Sequence, residues 1–151
     1  MLKLALFETP LGILYAVSDQ EALYYLGFSK PNFPMSLGNT QPLLLIGREL
    51  ESYFKGALQL FRTPLHFKGT PFQIQVWNAL RKIPFGETRS YNQIASEIHN
   101  PKACRAVGLA NGANPFVIVI PCHRVVRADL SLGGYSAGVE RKQWLLNHEI
   151  A

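Results

Sequence analysis

Between residues 70 and 115 the chain carries a succession of helix start and stop signals, and this punctuation constrains the fold more than any other feature. Thr70-Pro71 sets an N-cap hydroxyl ahead of a proline at the first helical position. Phe72, Val76, Ala79, Leu80 and Ile83 then share one face until Pro84-Phe85-Gly86 ends the helix. Ser90-Tyr91-Asn92-Gln93 has capping-box spacing, with Ser90 bonding the third amide and Gln93 reaching back, and Ile94, Ala95 and Ile98 continue an apolar face through His99. Asn100-Pro101 closes that helix and opens another, whose inward stripe of Ala103, Ala106, Val107 and Ala110 runs until Gly112-Ala113-Asn114-Pro115. Two short helices joined by a tight turn have the layout of a helix-turn-helix. The second would be the recognition helix, with Lys102, Arg105, Gly108 and Gly112 outward: cations among positions where another surface can come close. A plain packed helical pair satisfies the same pattern.

Charge separates those two readings in part. The net charge is +5, but residues 1–70 carry six Lys/Arg against five Asp/Glu and residues 71–151 carry nine against five. The excess lies in the half that holds the helical pair, which points to a polyanionic partner there.

The first half reads differently. Residues 2–8 and 13–18 form two short strands about the Thr9-Pro10-Leu11-Gly12 turn, and 22–28 a third. The three prolines of 31–42 mark a loop, after which Leu43, Ile46, Leu50, Tyr53 and Phe54 recur at helical spacing up to Gly56. This is a small antiparallel sheet with a helix, so the fold class is α+β. A domain boundary before Thr70 gives an N-terminal domain of 1–69 and a C-terminal domain of 70–151. No apolar run approaches the roughly 20 residues of a membrane span, and Lys3 and Glu8 interrupt any signal-peptide pattern. The expected address is the cytoplasm.

With Cys104 and Cys122 the only thiols and four scattered histidines, neither a disulfide framework nor a zinc site is expected. The apolar run 116–120 reads as a buried strand delivering the chain into Pro121-Cys122-His123-Arg124, which puts the thiol at a strand end. A thiol reacts as its thiolate and needs a neighbouring base or cation. His123 and Arg124 adjoin it, although adjacent strand residues point opposite ways, so a direct contact and a water bridge both remain open. A carboxylate must orient the imidazole, and Glu149, late in a closing helix over 140–149 that packs Trp144 and Leu145 inward, is the candidate. A cysteine at a buried strand end is also a common inert hydrophobe, and Cys104 beside Arg105 needs no role beyond packing.

The whole set carries more than its parts. Pro121-Cys122-His123-Arg124-Val125, preceded by Asn114-Pro115 and followed by Gly134-Tyr135-Ser136, closely resembles the O6-alkylguanine-DNA alkyltransferase family. The likeness includes Ser90-Tyr91, the stretch from Ala103 to Gly108 with Arg105, and Leu145-Leu146-Asn147-His148-Glu149, and it covers essentially all of 70–149. It implies a ribonuclease-H-like N-terminal domain and a C-terminal domain carrying the helix-turn-helix and the active cysteine. The implied activity is direct-reversal repair: an alkyl group leaves O6-alkylguanine, or O4-alkylthymine, in duplex DNA for Cys122.

The resemblance also implies roles. Cys122 would be the nucleophile and acceptor, His123 its base through a water, and Glu149 the group that orients His123. Asn114 would tie the active-site loop to the helix-turn-helix, Tyr91 would donate to the guanine or help rotate its phosphate, and Arg105 would enter the stack in place of the extruded base. The main-chain carbonyls of Cys122 and Val125 with the Ser136 amide would read the guanine edges, and Tyr135, Ser136 and Ala137 would set the pocket width. Lys102, Ala103, Gly108 and Arg124 complete the DNA- and substrate-facing set. In-line attack cannot occur within a stacked duplex, so the nucleotide must be flipped out, and a thioether has no ready leaving group, so the protein acts once. The expected partner is double-stranded DNA, with no membrane, cofactor or metal expected, and the expected state is a monomer. Three alternatives are a lesion-flagging relative, which would lack the acceptor cysteine, a redox- or alkylation-sensing helix-turn-helix regulator, and a cysteine hydrolase, which would need an oxyanion hole.

Overall fold

The computed structural model describes residues 1–150, and the chain divides into two compact units, Met1–Phe67 and Lys68–Ala151. In the first, β1 (Lys3–Thr9) and β2 (Gly12–Ser18) pair antiparallel from Lys3 opposite Ser18 to Thr9 opposite Gly12. Thr9 closes the turn, its hydroxyl accepting from Leu11 N at 3.1 Å and donating to Gly12 O at 2.6 Å. β3 (Leu23–Gly27) pairs antiparallel with the far side of β2. The stretch expected to be all loop contains β4 (Ser36–Leu37), which pairs parallel with β1 and completes the order β3-β2-β1-β4. Both its residues are exposed, so no apolar alternation marks it, and main-chain bonds such as Ser36 N to Leu2 O (3.3 Å) hold it at the edge.

α1 (Gln41–Phe54) starts where the Thr40 hydroxyl accepts from Leu43 N at 3.2 Å. Leu43, Ile46, Leu50 and Tyr53 form its buried stripe, and with Leu4, Leu14, Ala16, Val17, Leu23 and Leu26 of the sheet they make the core of this unit. Glu49 is buried too, and it is satisfied by the amides of Arg62 (2.6 Å) and Thr63 (3.1 Å) and by the Thr63 hydroxyl.

In the second unit α2 (Pro71–Arg81) and α3 (Tyr91–Glu97) each begin with a complete capping box. Thr70 and Gln73 exchange bonds of 3.0 and 3.1 Å, and Ser90 and Gln93 exchange bonds of 2.7 and 3.1 Å. α4 (Cys104–Gly112) starts later than Asn100-Pro101 suggests, because 100–103 is spent in the turn, and its N-cap Ala103 has no side chain to bond. Its buried face is Val107, Ala110 and Asn111, leaving Ala106 exposed where an inward position was expected. The Trp77 indole of α2 donates to Ala110 O at 2.9 Å and ties these two helices together.

The run 116–120 is fully buried but is not a strand. Only its first residue, Phe116, makes a β-bridge; the rest turns tightly, as in Ile120 N to Phe116 O at 3.0 Å, and is held through the Asn114 carboxamide. That group donates to Phe116 O (3.2 Å) and Ile120 O (2.7 Å) and accepts from Phe116 N (2.9 Å). It braces Ile118, a β-branched residue at φ +71°, a conformation such residues resist. The chain then turns through a 3-10 segment, Cys122–Arg124, into β6 (Val125–Val126), which pairs parallel with β5 (Arg89–Ser90). α5 (Val139–Ile150) closes the unit and buries Lys142, Leu145 and Glu149. Trp144 is half-buried, not packed inward as expected, and stacks on His148 with ring centroids 4.9 Å apart.

Candidate active site

Cys122 opens the 3-10 turn, with its side chain in the interior and only 1 % of its surface exposed. Burial pushes the thiol above its usual range, while Asn114 and Tyr135 within hydrogen-bonding reach, and the charge of Lys142, pull it back toward ionisation. His123 is fully buried, and its Nε2 lies 2.7 Å from Glu149 Oε2. Burial holds the imidazole below its ordinary value despite the carboxylate. We therefore read the ring as neutral, donating its Nε2 proton to Glu149. Its other nitrogen, Nδ1, is buried with no partner among the described residues, and that is the tautomer in which it can accept a proton.

Arg124 completes the triangle. Its Nε donates to Glu149 Oε1 at 2.7 Å, Nη2 to Oε2 at 3.0 Å and Nη1 to Ile83 O at 2.7 Å. This corrects the expectation that Arg124 faces DNA: the side chain is buried, and both of its faces are committed inside the protein. Burial alone would raise the Glu149 carboxyl, but bonds from His123 and Arg124 overcome that penalty and bring it down to about 2. Arg124, and not a charged His123, is the standing counter-charge.

A cleft of about 920 Å³ opens on the same unit, lined by Tyr91, Lys102, Cys104, Arg105, Gly108, Arg127, Gly133 and Gly134. Lys102 and Arg105 are exposed at the start of α4, with Ala103 and Gly108 partly covered beside them. Tyr91, the first residue of α3, is half-buried; burial raises its phenol, with the Cys122 charge adding to that and Arg127 opposing it. Gly133 has φ +71°, and a Cβ there would stand 3.2 Å from the Tyr91 hydroxyl. Cys122 is not among the residues lining the cleft, whereas Tyr91 lines it and lies near enough to feel the Cys122 charge. Tyr135 is partly buried and Ser136 exposed on the loop beyond. Val125 is buried in β6 and its carbonyl accepts from Lys142 Nζ at 2.6 Å.

Three residues of this site were not foreseen. Asn111, on α4, donates from Nδ2 to Cys122 O at 3.3 Å, which joins the outer helix to the cysteine turn. Arg127 adds a cation to the cleft wall. Lys142 lies on the 142-145-149 stripe of α5, and a lysine on an inward helical stripe is the signal that could have singled it out.

A helix-turn-helix with a basic cleft, set on the same unit as a buried cysteine, histidine and carboxylate, defines a class: a DNA-docking domain built around one buried thiol. Residues 71–151 match the family model described as "6-O-methylguanine DNA methyltransferase, DNA binding domain". The chain belongs to the methylated-DNA–protein-cysteine methyltransferase family. It is 45 % identical over 150 residues to the protein of that name from Methanosarcina acetivorans, covering 96 % of both chains. It is 43 % identical over 150 residues to that from Mycolicibacterium paratuberculosis, covering 97 % of this chain and 91 % of that one. Among solved structures, Mycobacterium tuberculosis OGT in complex with DNA superimposes with a TM-score of 0.90 at 40 % identity, covering 96 % of this chain and 91 % of the other.

Proposed function

We propose that this protein repairs O6-alkylguanine in double-stranded DNA by moving the alkyl group irreversibly to its own Cys122, acting once, as a cytoplasmic monomer. The carrying observation is the buried row Cys122, His123 and Glu149, with His123 Nε2 2.7 Å from Glu149 and Nδ1 left to accept a proton. Family membership supports the reading. In this scheme 70–151 is the DNA-binding and transfer domain, and 1–69 is its α+β companion.

The lesion is flipped out at a cost of a few kcal/mol, which a poorly paired base lowers. Arg105 fills the gap in the stack, and Lys102 and Arg127 meet backbone phosphate beside it. The thiol proton passes through a water to His123 Nδ1, and Glu149 stabilises the imidazolium that forms. The thiolate attacks the alkyl carbon in line; the S–C bond forms as the C–O6 bond breaks, and the electron pair passes to the guanine ring. Tyr91 supplies a proton to the ring, and the Ser136 amide donates to O6 as charge develops there. His123 returns its proton by way of Tyr91, and guanine is restored. The cysteine remains a thioether.

Intact-protein mass spectrometry with peptide mapping, after incubation with a duplex holding one O6-methylguanine, tests this. One added methyl on Cys122 with guanine restored is the expected result. Tight binding without a mass change would replace the reading with lesion flagging.

A further inference from the structure

Lys142 takes no part in the proton relay, yet its side chain is 0 % exposed. Nζ donates to Val125 O at 2.6 Å and to Gly134 O at 3.0 Å, so it joins β6 to the loop on the cleft wall. A buried ammonium ordinarily has a carboxylate beside it, because carbonyl dipoles alone repay little of the lost hydration. Among the described residues no ion pair reaches Lys142, and Glu149, seven residues along the same helix, is committed to His123 and Arg124. The ionisable groups near enough to exchange charge effects with Lys142 are Cys122 and His123 of the 3-10 turn and Arg127 of the following loop. Of these, Cys122 alone can become an anion.

We propose that Lys142 is a positioning residue that balances the Cys122 thiolate and, through Gly134, holds the loop facing the substrate, so that forming the nucleophile and ordering its loop are one event. This rests on Cys122 being the acceptor. When the thiol proton leaves for His123, the negative sulfur finds a cation already fixed in the interior. When the S–C bond forms, the sulfur becomes a neutral thioether and Lys142 is left as a buried cation with no anion to face. Burial already holds Lys142 down to about 8, with the Cys122 charge opposing that and Arg127 adding to it, so it has little margin for losing its anion. The transient thiolate, and neither the resting thiol nor the spent thioether, is therefore the state in which Lys142 is paired with an anion.

The test is the pH profile of iodoacetamide labelling at Cys122, read by peptide mass spectrometry on the full chain, with the Cys104 peptide as internal reference. Lys142→Met should move the Cys122 midpoint upward by about one pH unit, or about tenfold slower labelling at neutral pH, and Lys142→Arg should restore it. Lys142→Gln keeps a donor for the two carbonyls and drops the charge, so it should shift the profile as Lys142→Met does, and it stands in if that variant fails to fold. Superimposable profiles for wild type and the uncharged variants would overturn the proposal. Hydrogen exchange reads the loop half: residues 127–138 should exchange faster in Lys142→Met, which cannot hold the Gly134 carbonyl, than in wild type or Lys142→Arg, and unchanged protection would overturn it. A wild type that takes no methyl from a lesion duplex would instead fail the repair reading itself, and that result is in hand before any variant is made.

Discussion

Arg124 holds Glu149 at two points, Nε to Oε1 at 2.7 Å and Nη2 to Oε2 at 3.0 Å, and this fixes the carboxylate that His123 leans on. A planar fork meeting a carboxylate leaves little rotational freedom. The imidazole is thus oriented by a group that is itself oriented, with the charge of the pair balanced whether or not His123 is protonated.

Glu149 titrates at about 2 in the folded protein against a reference of 4.5. A carboxyl lowered on folding stabilises the native state above its unfolded pKa, and that contribution is lost as pH falls through the folded value. The contribution, on the order of 3 kcal/mol, should be whole above about pH 5 and fade toward pH 2. Denaturation midpoints measured across that range should fall more steeply for wild type than for Glu149→Gln.

Arg124→Met should destabilise the fold by about 3–5 kcal/mol, because it strands a buried carboxylate and the Ile83 carbonyl. Urea denaturation measures this. A variant of wild-type stability that binds DNA weakly would restore Arg124 to the DNA-facing surface, where the sequence alone had put it.

That misplacement shows where sequence reading works and where it stops. Local rules carried the N-cap at Thr70 and the capping box at Ser90, because a cap is a contact between residues three apart; the return bond from Gln73 was not foreseen. The same rules gave the hairpin at Thr9 and the stripe of α1. They failed for 116–120, where five apolar residues suit a strand equally well, and only the distant question of a pairing edge, with the Asn114 carboxamide filling the gap, decides against it. Arg124 and Lys142 failed for a related reason. A cation in sequence reads as surface, and what buries these two is Glu149 twenty-five residues away in one case and the carbonyls of Val125 and Gly134 in the other. Cys122, His123 and Glu149 were legible as a set through the family motif. That Nδ1 of His123 is the open nitrogen was not.

Arg105→Ala should slow repair of duplex DNA far more than reaction with a free O6-alkylguanine base, since a residue that fills the stack matters only when there is a stack. Arg127→Ala should weaken DNA binding and lower its salt slope by about one. Single-turnover kinetics on both substrates, with binding followed across ionic strength, separates the two roles. Equal loss on duplex and free base would remove Arg105 from the stack-filling role.

Gly133 and Gly134 give a paired control for the cleft wall. Gly133 sits at φ +71°, where a Cβ costs roughly 1–2 kcal/mol, and that Cβ would also lie 3.2 Å from the Tyr91 hydroxyl. At Gly134 an added methyl would meet no atom within 4 Å and no left-handed backbone, while the Gly134 carbonyl, which holds Lys142, survives any side-chain change. Gly133→Ala should therefore displace Tyr91 and slow alkyl transfer about tenfold or more, with DNA affinity nearly kept, because the nearest cation of the wall, Arg127, meets the new Cβ at an ordinary 3.5 Å. Gly134→Ala should transfer at close to the wild-type rate. Rapid-quench measurement on a lesion duplex reads both. If the two variants behave alike, Tyr91 owes its placement to something other than its contact with Gly133, and its part in proton donation loses its structural support.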